Sequence, residues 1–293
     1  MIPLPPVRSL MAEAIDYAGL FPPAALPMAE AVANFDRYRR GAHAWMLGRF
    51  VVPLSRLEEL ADAYASVVRE ESPPWRVSVI ARASDAAAVA AFNSRYGARL
   101  RIDTIEVPPV TVADVAALAG MAASYAVFAE VPWASDPGPI IAELARHGVR
   151  AKIRTGGIKP EAIPSPANVA RFIAVCVEAK VPFKATAGLH HTWRGEYPLT
   201  YESDSASATM FGFANVLLAS SAAVAGAGAD EIAAMLDSPA GAGFEAWEQG
   251  WVLPSGRAIP EALVAAARRQ AMESFGSCSF EEPVEELSAR GLL

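Results

Sequence analysis

The sequence predicts an α/β fold, a single (β/α)8 TIM barrel, on three observations. Short apolar or alternating runs recur along the chain with amphipathic helical stretches between them, the pattern of a parallel sheet. Eight such runs can be read, the number that closes a barrel, and the length of 293 residues suits one domain of that kind.

The strands are expected at 14–18, 44–51, 76–81, 100–107, 126–131, 151–155, 182–187 and 274–279. Helices are expected at 56–68, 85–93, 112–121, 140–147 and 166–180, each within a few residues of the strand before it. The clearest is 166–180: Ser165 caps, Pro166 sits in the first turn, and Val169, Phe172, Ile173, Cys176 and Val177 make one apolar stripe. Cys176 therefore belongs to the core. The stretch 192–272 reads as an insertion between strands 7 and 8, with helices near 213–225 and 229–236 and a Trp/Gly segment at 247–257. It lacks the strands for a sheet of its own, so it is expected over or beside the barrel mouth. Its Trp193, Trp247 and Trp251 line a pocket or, more simply, pack. A last strand and helix fill 274–290.

Composition narrows the function. With 25 Lys+Arg against 32 Asp+Glu the formal net charge is −7, and 53% of residues are hydrophobic. An acidic chain without a basic patch argues against nucleic acid and anionic membranes as partners. The start MIPLPPVRSL lacks the apolar core of a signal peptide, and no run approaches the ~20 apolar residues of a membrane span. A cytoplasmic protein is expected. Two cysteines make no disulfide scaffold, and Cys278 reads as a small buried thiol. A homodimer would be unsurprising.

The basic residues are unevenly chosen. Only four are lysines, Lys152, Lys159, Lys180 and Lys184, and all fall in one short stretch. Arginine serves as a solvated charge, but only an amine can shed its proton and attack a carbonyl. The sixth strand reads AKIRTGG (151–157) and the seventh FKATAGLHH (183–191). With a side-chain period of two, Lys152 and Arg154 share one face, and Lys184 and Thr186 share one face of the neighbouring strand. Two ammonium groups on strands ~4.8 Å apart are close enough for one to depress the other's pKa. A neutral lysine in such a site forms a Schiff base with an aldehyde or ketone, an electron sink for making or breaking a C–C bond. The bland alternative is that both lysines only hold an anion at the rim.

Ordered motifs over almost the whole chain carry a resemblance. AIDYAGLFPPA (14–24), FVVPLSRLEEL (50–60), RIDTIEVPP (101–109), VFAEVPW (127–133), AKIRTGG, FKATAGLHH and SFGSCSFEEPVEEL (274–287) resemble, in order, the strand motifs of the deoxyribose-phosphate aldolase group of class I aldolases. The resemblance implies a metal-independent, cofactor-free lyase acting on a small carbonyl substrate. It makes Lys152 the Schiff-base nucleophile and Lys184 the cation that lowers its pKa. Asp103 and Asp16 match the acidic members of a proton relay, with Glu106 a rival for the Asp103 role; for Asp16 an ion pair with Arg101 or Lys184 is as good a reading. Glu130 matches an acidic position that holds one of the lysines.

The family holds a phosphate with backbone amides of the last three βα loops, and Thr155, Gly156, Gly157, Thr186, Gly188, Gly276, Ser277 and Ser279 keep those strand ends. Departures point elsewhere: Leu189 replaces a glycine, His190 and His191 follow it, and Arg154 stands beside the nucleophile, where it favours a planar anion. The expected substrate is anionic and is not deoxyribose 5-phosphate. Two other readings stay open: a metal-assisted lyase or hydrolase using His190 or His191 with Glu106 or Glu130, and a barrel that only binds a small ligand.

Overall fold

The computed structural model describes residues 3–68, 73–239 and 242–293. Eight parallel strands close into a barrel with helices around it. They are β1 (Ile15–Tyr17), β2 (Leu47–Pro53), β3 (Trp75–Ile80), β4 (Leu100–Val107), β5 (Ala126–Glu130), β6 (Arg150–Arg154), β7 (Phe183–Thr186) and β8 (Met272–Ser277), each hydrogen-bonded to its sequence neighbours, with β8 closing onto β1. This is the (β/α)8 TIM barrel that the sequence predicts. Among the described residues no helix is long and apolar enough to cross a membrane.

Local chemistry fixes most elements. Ser165 accepts the Asn168 N–H at 3.2 Å and Pro166 opens the helix Pro166–Glu178, which buries Val169, Phe172, Ile173 and Cys176. Strand alternation sends Ile153 and Ala185 outward into the apolar layer under the helices, and turns their neighbours inward. Some boundaries differ from expectation. Residues 44–46 form a 3-10 turn before β2, and 112–121 breaks into two short helices joined by a 3-10 turn, because its Ala/Gly run offers little to bury.

The stretch 192–272 departs most from its expected role. Helix Phe213–Val224 is buried along almost its whole length, and Phe213 stacks on Phe275 of β8 with ring centroids 5.0 Å apart. It packs between helices Pro166–Glu178, Ala229–Asp237 and Glu261–Gln270, so it covers the barrel wall, not the mouth. The segment also makes sheets of its own: a two-stranded ribbon, Gly195–Pro198 with Ser207–Met210, and a three-stranded sheet of Glu245–Trp247, Gly250–Val252 and Ala258–Pro260. Gly250 permits the second, since a Cβ there would lie 2.1 Å from the Ile259 carbonyl oxygen. Trp193 stacks on Phe244 and Trp251 is buried with its indole N–H on the Pro6 carbonyl, so both serve packing.

At the mouth, the loops after β6 and β7 touch through glycines. A Cβ on Gly156 would lie 2.8 Å from the Gly188 Cα, and Gly188 has a φ of +75°. Thr155 Oγ1 ties the same two loops by donating to the Ala187 carbonyl at 2.8 Å. Gly156→Ala is expected to cost about 1–3 kcal/mol and to lower the thermal unfolding midpoint by several degrees, since backbone on both sides must move; an unchanged midpoint in calorimetry contradicts this packing.

Candidate active site

Register brings the sequence-predicted lysines together. Lys152 of β6 pairs with Lys184 of β7, and on the other side with Glu130 of β5. Both point into the barrel, where the expected repulsion does not arise, because carboxylates separate them. Lys184 Nζ lies 2.6 Å from Asp16 Oδ2 and 2.6 Å from Glu106 Oε1. Lys152 Nζ lies 3.1 Å from Glu130 Oε2 and 3.5 Å from Glu106 Oε2. Glu106 therefore bridges the two amines, and Ser78 Oγ donates to its Oε1 at 2.8 Å. Asp16 is held by Ser274 Oγ at 2.7 Å and the Arg49 backbone N–H at 2.8 Å.

The electrostatics follow from this pairing. Burial alone pushes the Asp16 and Glu106 carboxyls up, but nearby cations outweigh it, Lys184 and Arg49 for Asp16, Lys184 and Lys152 for Glu106. Both groups are held below the usual carboxylate range. Burial alone would lower Lys184, and the same two carboxylates overcome it and raise its pKa. Lys184 is thus a charged counter-ion at the centre of the barrel. Its role as a cation that crowds Lys152 is corrected to that of a clamp on Asp16 and Glu106.

Of the two lysines, Lys152 is the one that meets open space. A cavity of about 410 Å³ at the C-terminal ends of the strands is lined by Lys152, Glu106, Glu130, Arg154, Thr186 and His190. Its opposite wall is apolar, formed by Phe21, Pro22, Val51, Ile80, Pro108 and Pro109. Lys184 and Asp16 lie beneath it, fully buried. Arg154 is exposed at the end of β6 and has no hydrogen-bond or ion-pair partner among the described residues.

Asp103 stands elsewhere. It binds Arg49 Nε at 2.6 Å and Arg76 Nε at 2.7 Å, residues that line a separate cavity at the N-terminal ends of the strands. A register shift in β4, where Ile102 pairs with Val77 but Thr104 with Ser78, lets both Asp103 and Glu106 face inward at different heights. Glu106, and not Asp103, is the carboxylate of this strand that contacts Lys152.

The expected anion cradle is only partly at the cavity. Gly157, Thr186 and Gly276 line it, whereas Gly156 and Gly188 are pressed against each other and Thr155 is spent on the loop contact. Ser279 Oγ accepts the Glu282 N–H at 3.2 Å, and Ser277 Oγ is 3.4 Å from His190 Nδ1.

The two histidines diverge. His190 lines the cavity with Nδ1 3.5 Å from Cys278 Sγ, and burial, then His191, push its imidazole down to about 4. His191 stacks on Tyr197 at 3.5 Å and meets Glu286 at 2.6 Å, outside that cavity. Among the described residues no group of three or more His, Cys, Asp or Glu side chains could hold a metal ion. The donor set proposed for metal chemistry is therefore not assembled.

Sequence reasoning missed Ser78, Ser274 and Arg49, which orient the carboxylates. Ser78 was findable, as the one hydroxyl of its strand, whereas Ser274 shares its strand with Ser277 and carries no such signal. The cavity's apolar wall draws on loops after several strands, and no local signal marks it.

Lys184→Met leaves two buried carboxylates without their cation and should cost about 3–5 kcal/mol in denaturant unfolding; a loss below 1 kcal/mol contradicts the clamp. Because the His190 pKa is depressed in the fold, the unfolded chain binds the extra proton first. Stability should fall by on the order of 3 kcal/mol from pH 7 to pH 4, and His190→Leu should flatten that slope. The depressed Asp16 and Glu106 add a further loss only below about pH 4, and Lys184 only above its normal range.

Compared with protein-family models, with curated proteins and with solved structures, the chain matches none.

Proposed function

We propose that the protein is a class I, aldolase-like lyase in which Lys152 forms a Schiff base with a small carbonyl substrate. The observation that carries this reading is the placement of Lys152. Its amine reaches the cavity from the end of a barrel strand, with Glu106 behind it and Glu130 beside it. A lysine used only for charge would not need a cavity, and an arginine would serve as well.

The chemistry assigns each group a task. Lys152 gives its proton to Glu130, and the free amine adds to the substrate carbonyl carbon. A C–N bond forms, and the carbonyl π pair moves to oxygen. The nitrogen, cationic after the addition, gives its second proton to Glu106, and Glu130 and Glu106 pass the two protons taken from nitrogen to the oxygen, which leaves as water while an iminium remains. The iminium accepts the electron pair of the adjacent C–C bond as it breaks. The departing fragment loses its hydroxyl proton to a carboxylate and leaves as a carbonyl compound. The enamine is then protonated at carbon and hydrolysed, which returns Lys152 as an amine.

Lys184 and Asp16 act through Glu106. Lys184 fixes its Oε1, so that only Oε2 faces Lys152, and Asp16 balances the Lys184 charge. Fixing the acid/base within a fully buried network is the preorganisation such proton transfers need.

Borohydride trapping tests the reading. Incubation with a panel of small aldehydes, ketones and oxo acids, followed by reduction and peptide mass mapping, should show an irreversible mass gain at Lys152. Lys152→Arg keeps the charge beside Glu106 and Glu130 but cannot form an imine, so it should stay folded and lose the adduct. Absence of any adduct at Lys152 overturns the proposal. Glu106→Gln should slow trapping roughly 100-fold or more, the usual scale for a lost acid/base.

A further inference from the structure

We infer that the carbonyl compound taken by Lys152 is an oxo acid with an apolar body, whose carboxylate is bound by Arg154; this rests on the Schiff-base reading above. Lys152 and Arg154 lie two residues apart on β6, both line the cavity, and Arg154 has no counter-ion among the described residues. The other acids and amines of the cavity and its floor are committed: Glu106 and Glu130 to Lys152, Lys184 to Asp16 and Glu106. One planar cation is left facing the space where the substrate must sit. It stands one strand repeat, ~6.6 Å along the backbone, beyond the nucleophile, and both side chains are long enough to converge.

The chemistry of the wall and loops selects among anions. A guanidinium pairs with a carboxylate through two parallel hydrogen bonds. A phosphate dianion needs more donors than one side chain. Glu281 and Glu282 fill the first turn of helix Glu281–Ala289, whose Glu282 N–H is taken by Ser279. Carboxylates at that helix start repel a second anion. Facing the two cations, the wall of Phe21, Pro22, Val51, Ile80, Pro108 and Pro109 offers apolar area and few polar partners. A molecule with a carboxylate and carbonyl at one end and a hydrocarbon body at the other matches both sides.

The test separates this inference from the one beneath it. Borohydride trapping is measured with 4-methyl-2-oxopentanoate, with pyruvate, with the uncharged isovaleraldehyde, and with glyceraldehyde 3-phosphate. Lys152 should trap 4-methyl-2-oxopentanoate at least tenfold faster than the other three. That preference over isovaleraldehyde should fall at least tenfold in Arg154→Gln and partly return in Arg154→Lys. Faster trapping of isovaleraldehyde or of the phosphorylated probe overturns the oxo-acid assignment while leaving Lys152 as a nucleophile; faster trapping of pyruvate overturns the apolar body.

Binding of 2-hydroxy-4-methylpentanoate, which cannot form an imine, is measured in parallel by calorimetry. Binding that weakens tenfold or more in Arg154→Gln supports the carboxylate site even if no probe is trapped, in which case only the Schiff-base reading fails. No binding, or binding that ignores the substitution, overturns the inference.

Discussion

A chain of alternating charges along the barrel axis is the constraint on which the rest of this structure depends. Beginning at the N-terminal mouth, Glu13 meets Arg76, Arg76 meets Asp103, Asp103 meets Arg49, and Arg49 lies 3.9 Å from Asp16. The chain continues through Lys184, Glu106 and Lys152 and ends on Glu130 at the open cavity. Barrel interiors are ordinarily filled by layers of branched apolar side chains. Here much of that space holds ions, and ions away from water survive only when each touches its opposite. The order along the axis is therefore mutual: shifting one member leaves two neighbours uncompensated.

This arrangement gives the upper end a rigid floor. Lys184 is fully buried and Glu106 nearly so, so neither moves to suit a ligand, and their positions are set by four strands at once. What lies above the floor is more exposed, namely Glu130, Arg154 and the proline-lined loops. Groups fixed on strands below and groups placed at strand ends and on loops above is the arrangement that, in barrels generally, lets one fold serve many ligands. The glycine contact between the loops after β6 and β7 holds this rim closed on the side of the lysines. It leaves no room for a Cβ on either glycine.

Much of the fold was legible from the residues in order. Helix 166–178 announces itself through Ser165, Pro166 and a stripe at helical spacing, and the eight apolar runs lie close to the observed strands, with ends shifted by a few residues. The candidate nucleophile was legible too, since a lysine-poor chain places Lys152 and Lys184 at matching positions of adjacent strands. Stretch 192–272 was misread because the helix Phe213–Val224 is apolar on every side, a pattern that periodicity cannot orient.

What the sequence determined by itself is the set of elements and the inward face of β6 and β7, because periodicity is local and a parallel sheet repeats it faithfully. Only the tertiary structure decided which acid meets which base. Strict alternation would put Asp103 and Glu106 on opposite faces, and one extra residue in β4 turns both inward at different heights. Height along the axis depends on strand stagger and closure, and these emerge from all eight strands together. So Glu106, not Asp103, stands behind Lys152, and Lys184 is a clamp where the linear sequence suggested a repelling neighbour.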